Sequence, residues 1–271
     1  DNDLPYTDCS PGFGSVAKYI ATSTLEAGLD VKSMAETSTK VFILEVMGRH
    51  AGWIAAASCL AATKAGDPPH IILLPEVPFE KTKFITQVKQ TVKEQGYCVI
   101  VASEGTQTKN GKFLADSGLT DAFGHKQLGG VAPVLAGMIS KIGLKNHWAV
   151  ADYLQRSARH IASKTDLDQA YAVGEHAVKL AIAGKTALMP IIKRTSDSPY
   201  KWKIATAPLK NVANIEKTMP KKFISKNGFE ITQAGKTYLS PLIKGEAPIK
   251  YVNGLPDIAE LKKIKVKKKL S

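Results

Sequence analysis

The sequence predicts an α/β fold, a Rossmann-like parallel sheet layered by helices, with a small C-terminal β and irregular extension. Two observations carry that prediction. Short apolar runs that read as buried strands alternate with segments of helical apolar spacing, in the order β, α, β, α, β, α, β, α after a first helix. The strands are continuous in hydrophobicity rather than alternating, as strands covered on both faces are. Residues 13–29, FGSVAKYIATSTLEAGL, follow Ser10-Pro11-Gly12 and read as the first helix. Residues 40–47, KVFILEVM, are the first strand. The Ala-rich stretch 51–66, AGWIAAASCLAATKAG, predicts a helix closed by a glycine cap at Gly66. A strand at 70–76, an amphipathic helix over 81–96 ending on Gly96, and a buried strand at 97–105 follow. After an irregular stretch come a helix at 130–142, a short strand with a polar exit in HWAVADYLQR, and a long helix at 166–184. Beyond Lys185 the pattern breaks into PIIKR and YKWKIATAPL, which predict a small β element, and then a loop-rich basic tail.

At 271 residues the chain can bury a sizeable core without staples. Its 44% hydrophobic and 23% charged residues are ordinary globular usage, and its longest apolar runs are too short to cross a bilayer. No membrane partner is expected. Cys9, Cys59 and Cys98 lie far apart with no metal-ligand spacing, so a reducing cytoplasm and no protein-made metal site are the expectation. The formal charge of +13 gathers partly at LKKIKVKKKL, six lysines in ten residues without interleaved aromatics. That composition reads as a solvated tail rather than a nucleic-acid stripe, and the remaining positive charge suits anionic small substrates. The start, DNDLPYTDCSPGFG, has neither signal-peptide character nor an initiator Met, so residues are expected upstream of Asp1.

Three of the strands end in polar clusters, EVMGRHAG, VASEG and DYLQR. In open α/β sheets ligands gather at the carboxyl ends of strands, so these clusters should converge. Gly48 lets backbone approach a ligand, Arg49 can fork onto a phosphate, Glu104 can accept from sugar hydroxyls, and Arg156 adds a second guanidinium. Each has a plainer alternative. Taken alone, Glu104 is more often a helix-start or surface carboxylate, Arg156 is equally a surface ion-pair residue, and His50 is a packing or hydrogen-bonded residue beside the turn. In DNDLPYTD, one Asp can accept a proton while the other is oriented beside it, or the stretch is a plain Asx-rich turn. His147, His160 and His176 have no neighbours that would make a catalytic pair.

Taken together, DNDLPYTDCSPGFGSVAKYIATSTLEA, KVFILEVMGRHAGWIAAA, LLPEVPF, VASEG, YLQRSARHIASKTDLDQAYAVGEHAVKLA and the ending GFEITQAGKTYLSPLIKGEAP with NGLP resemble the 6-phosphofructokinases, most closely their pyrophosphate-dependent branch. The resemblance covers nearly the whole chain. It implies the phosphofructokinase fold, with residues 1–12 as the catalytic loop left from a donor-binding domain and 13–162 as a fructose 6-phosphate-binding domain. Residues 163–271 would be a helix returning to the donor-binding domain plus the extension. It implies reversible phosphoryl transfer from Mg²⁺-pyrophosphate to fructose 6-phosphate in glycolysis and gluconeogenesis. An ATP-dependent kinase of the same family and a non-catalytic sugar phosphate-binding subunit are the alternatives.

Residue by residue, the resemblance implies that Asp1 takes the proton from the 1-hydroxyl and that Asp3 assists. Met47, Gly48 and Arg49 would line the sugar phosphate site, with Arg49 also offsetting charge on the moving phosphoryl group. Glu104 would hold sugar hydroxyls, and Tyr153 and Arg156 the 6-phosphate. Lys40 stands where the family often has a cation near a subunit boundary, in a homo-oligomer. Metal ligands, the glycine-rich donor loops and the residues that separate pyrophosphate from ATP would lie upstream of Asp1, so these 271 residues alone would hold little of a donor site. At Asp152 the family often has Gly, and a carboxylate there would repel a phosphate unless it points away.

Overall fold

The computed structural model describes residues 1–120, 126–128 and 130–265. Of the lysine-rich segment, Lys267, Lys268 and Lys269 lie outside the described residues.

In chain order, α1 (Phe13–Met34) leads into β1 (Val41–Val46), α2 (Trp53–Ala57) with a 3₁₀ turn Ser58–Ala61, β2 (Ile71–Leu73), α3 (Lys81–Gln95) and β3 (Cys98–Ser103). Then follow β4 (Asp116–Thr120), β5 (Lys126–Leu128), α4 (Val131–Ser140), β6 (Asn146–Val150), α5 (Leu154–Ser157) and α6 (Lys164–Ile182). The extension holds β7 (Leu188–Asp197), β8 (Tyr200–Pro208), α7 (Gln233–Leu239), β9 (Tyr251–Val252) and β10 (Leu255–Pro256).

The central sheet runs β2-β3-β1-β6, and every pairing in it is parallel. Parallel neighbours require crossovers, and the helices supply them on both faces. Although the strands are largely apolar, their side chains still separate by pleat. Val41, Ile43, Ile71, Leu73, Ile100 and Ala102 pack with α3 and α4 through Phe84, Val88, Leu135 and Ile139. Leu44, Val46, Ile72 and Val101 face the other way, against α1 and α2 through Phe13, Val16, Ile20 and Trp53. Each fully buried aliphatic side chain contributes roughly 1.5–3 kcal/mol relative to exposure, so the two faces together define the register of the sheet. That second layer also takes in Ile192, Met219, Phe223, Ile231 and Leu239, so the extension shares a core with the sheet.

Two expectations change in detail. The helix expected over 51–66 is only Trp53–Ala57 with a 3₁₀ turn. Asp67 is the reason: its carboxylate accepts from the Thr63 and Lys64 amides and the Thr63 hydroxyl, holding the chain in a local turn that competes with helix. The irregular stretch before α4 contains the antiparallel pair β4–β5. The small β element is a long hairpin, β7 with β8, joined by a register shift between Arg194 and Ser196. β6 is an edge strand, and its Trp148 and Val150 remain half exposed.

Candidate active site

Register alone brings the three polar clusters to one edge. Val46 lies opposite Ser103, and Glu45 opposite Val150, so the residues after β1, β3 and β6 leave the sheet side by side. Hydrogen bonds then join them. The Gly48 amide donates to Glu104 Oε1 at 3.4 Å, the Met47 amide to Gln155 Oε1 at 3.3 Å, and the Ser103 hydroxyl to the Gly48 carbonyl. Gln155, almost fully buried, also donates from Nε2 to the Asp152 carbonyl at 2.8 Å and so ties the β1 exit to the β6 exit.

Glycine is required at two positions here. Gly48 has φ 135°, and a Cβ on it would lie 2.6 Å from the Ala51 carbonyl oxygen. A Cβ on Gly105 would lie 1.9 Å from the Arg49 carbonyl oxygen. The turn that presents Arg49 therefore rests directly on the backbone at Gly105, which sequence reading did not single out.

Beside this rim is a cavity of about 490 Å³ lined by Asp1, Met47, Gln155, Arg156, Arg159 and Asp166, among others. Asp166, from the first turn of α6, accepts from the Gly12 amide at 2.7 Å and the Ser15 amide at 3.0 Å, satisfying the open amides at the start of α1. Ser163 accepts from the Asp166 amide in turn, so one carboxylate joins the starts of two helices at the cavity wall. Arg159 donates to the Ala247 carbonyl at 2.7 Å. The Arg156 guanidinium sits 4.6 Å from the Tyr153 ring centre, which leaves its in-plane N–H groups free to meet an anion.

The sequence-derived residues divide as follows. Asp1, Met47 and Arg156 line one cavity. Gly48, Arg49 and Glu104 stand on the same sheet edge, joined by the Gly48–Glu104 contact, and Tyr153 lies at the exposed outer rim. Asp3 does not share the cavity with Asp1; it lines a separate hollow with Leu4 and residues 212–216. Lys40 lies at the opposite end of β1, about 20 Å of strand away, where its ammonium donates to the Ala35 and Glu36 carbonyls at the end of α1. The structure does not bring it to this rim. His50 pairs with Glu216 at 2.7 Å and stacks on Phe113.

Glu45, on the α4 face of β1, accepts from the Ala132 amide at 2.7 Å at the start of α4. Burial pushes its carboxyl up from the ordinary range, the Ala132 N–H opposes that, and the charges of Glu104 and Asp152 add to it. The site is thus an edge where the Arg156 guanidinium and the Arg49 turn stand near a set of carboxylates, an arrangement suited to an anion that also carries hydroxyls. Asp152 itself has φ 37°, the left-handed region that glycine enters freely. Among the described residues no group of three or more His, Cys, Asp or Glu could hold a metal ion.

The family model described as phosphofructokinase matches residues 1–181. A pyrophosphate–fructose 6-phosphate 1-phosphotransferase of Halomonas elongata is 64% identical over all 271 residues, and that of Methylococcus capsulatus 57% identical over 272 aligned positions. The crystal structure of a pyrophosphate-dependent phosphofructokinase from Marinobacter aquaeolei superposes with a TM-score of 0.89 at 59% identity, covering all of this chain and 64% of that one. The chain spans 65% of the length of the two curated relatives.

Proposed function

The chain belongs to the phosphofructokinase family, and from that premise we propose that it forms the sugar phosphate-binding part of a pyrophosphate-dependent phosphotransferase. The reaction moves a phosphoryl group from pyrophosphate to the 1-hydroxyl of fructose 6-phosphate, giving fructose 1,6-bisphosphate and phosphate, and it runs in both directions. The observation that carries this reading is the meeting of Asp1, Met47 and Arg156 on one cavity beside the Gly48–Arg49 turn.

In such a transfer the protein chiefly positions the nucleophile and offsets charge on the moving group. Arg156, with Tyr153 beneath it, holds the 6-phosphate, and Glu104 accepts from the sugar hydroxyls. That remote binding orients the 1-hydroxyl toward Asp1, which takes its proton as the oxygen attacks phosphorus. Arg49 faces the charge that develops on the phosphoryl oxygens. Asp3, in its separate hollow, assists by shaping the loop rather than by contact with the sugar.

Mg²⁺ enters as the magnesium complex of pyrophosphate. A hard cation that keeps much of its water is bound largely through phosphate oxygens and needs no all-protein cage. Under this reading residues 1–12 belong to a donor-binding part, 13–162 bind the sugar phosphate, and 163–271 return to the donor part and extend it. Lys40, remote from this chain's cavity, serves a substrate only across a subunit boundary in a homo-oligomer. The proposed site of action is the cytoplasm, in keeping with three free, buried cysteines among the described residues.

The test is turnover by the full-length protein with Mg²⁺-pyrophosphate and, separately, Mg²⁺-ATP, together with the reverse reaction from fructose 1,6-bisphosphate and phosphate. Turnover in both directions with pyrophosphate is expected. Turnover with ATP alone would replace the donor, and fructose 6-phosphate binding without turnover would reduce the protein to a binding subunit.

A further inference from the structure

We propose that Tyr238 and Asn2 form a buried latch by which the C-terminal extension fixes the acidic loop, making both of them positioning residues for proton transfer at Asp1. The proposal rests on the reading of Asp1 as the base.

Residues 1–9 form neither helix nor strand, so their polar groups depend on partners elsewhere. Those partners are concentrated beyond residue 190. Asn2, between the two aspartates, is fully buried. Its Oδ1 accepts from the Ser10 amide at 2.9 Å, closing the loop on itself, and its Nδ2 donates to the Tyr238 hydroxyl at 2.7 Å, 236 positions away. The Tyr238 hydroxyl in turn donates to the Asp8 carbonyl. One phenol therefore accepts from the start of the loop and donates to its end.

The phenol is itself held firmly. Its ring packs 5.4 Å from Trp53 and 5.4 Å from Phe223, and Arg194 donates to the Tyr238 carbonyl at 2.7 Å. Burial pushes the hydroxyl up from its ordinary range, so it stays protonated and continues to donate. Lys217 adds a second brace: its amide donates to the Asp3 carbonyl at 2.6 Å, and its ammonium to the Thr7 carbonyl at 2.9 Å.

Among the described residues, the hydrogen bond drawn by the Asp1 side chain comes from the adjacent Asn2 amide at 3.1 Å. Its position is set by Asn2. A base displaced by a fraction of an ångström loses rate without losing substrate affinity, because the sugar phosphate is held by groups on the sheet edge.

The experiment uses the full-length protein, with fructose 6-phosphate and Mg²⁺-pyrophosphate as substrates. It compares Tyr238→Phe, Asn2→Ala, the double variant and Asp1→Asn by kcat, KM and thermal midpoint. Each single change is expected to lower kcat about tenfold while KM for fructose 6-phosphate stays within about threefold, and the double variant should lose no more than the poorer single. A Tyr238→Phe enzyme with kcat within twofold of the parent, or losses that multiply in the double variant, would overturn the latch. If Tyr238→Phe does not fold, Asn2→Ala alone carries the same kcat-against-KM criterion. Asp1→Asn separates the two ideas: if it is inactive while Tyr238→Phe is normal, only the latch fails, and if it turns over normally, the base assignment and the latch fall together.

Discussion

At the scale of single residues, Arg156 and Asp152 stand close together in sequence at the β6 exit, and in the proposed site they pull in opposite directions. Arg156 offers in-plane donors to an anion, and a charge-assisted contact of that kind contributes roughly 1.5–3 kcal/mol of binding. Arg156→Ala should therefore raise KM for fructose 6-phosphate by about 10- to 100-fold and change kcat by less than about threefold, measured by steady-state kinetics on the full-length protein. An unchanged KM would remove Arg156 from the phosphate site. Asp152 occupies φ 37°, a conformation that costs an L-residue roughly 1–2 kcal/mol and glycine little. Glycine's larger unfolded-state entropy takes back part of this, so Asp152→Gly should stabilise by up to about 1 kcal/mol, read as a higher urea midpoint. It should also lower KM for the sugar phosphate by removing a repelling charge. Both positions were legible before the structure, Arg156 from YLQR and Asp152 as a departure from the family pattern. The left-handed backbone that makes glycine suitable there is a tertiary fact.

At the scale of elements, the segment between α2 and β2 shows how a connection is secured to the sheet. His70 Nδ1 accepts from the Val99 amide at 2.9 Å, its own amide donates to the Val99 carbonyl at 2.9 Å, and its Nε2 meets the Gly66 carbonyl at 3.2 Å. The ring must be neutral with the proton on Nε2 for both ring contacts to form. Burial holds its imidazole below the usual histidine range, with the Gly66 carbonyl and Asp67 opposing. The folded state thus binds its proton at lower pH than the unfolded chain does. This contribution is complete above about pH 6.5 and is lost as pH falls below it toward the folded value. Urea midpoints at pH 7.5 and 5.5 should differ more in the parent than in His70→Asn, and equal differences would refute the assignment. The sequence predicts the strands on either side well, because their apolar runs have no alternative burial. It predicts α2 poorly, because Asp67, several residues beyond the helix, draws the Thr63 and Lys64 amides into a turn.

At the scale of the whole molecule, α6 presents Tyr171, Val178 and Ile182 at 77%, 58% and 82% exposure, a stripe of large apolar side chains that this chain itself leaves open. An open apolar surface of this kind promotes association. The 271-residue chain should bind an apolar fluorescent dye, and Tyr171→Ser with Ile182→Ser should reduce that signal without moving the thermal midpoint by more than a degree or two. Among the described residues no helix is long and apolar enough to cross a membrane. The order of apolar and polar residues along the chain is enough to give the α/β class, the succession of the sheet's strands and helices, the clusters EVMGR, VASEG and DYLQR, and the family, because that order is read without any packing. How deeply each strand is covered is not, and β6 stays half exposed. Only the tertiary structure decided that Asp1 shares a cavity with Met47 and Arg156 while Asp3 does not, that Lys40 lies at the far end of β1, and that Tyr238 closes on Asn2. Those are relations between groups up to 236 positions apart, set by strand register and by the shared core that draws the extension onto the acidic loop, and no periodicity along the chain encodes them.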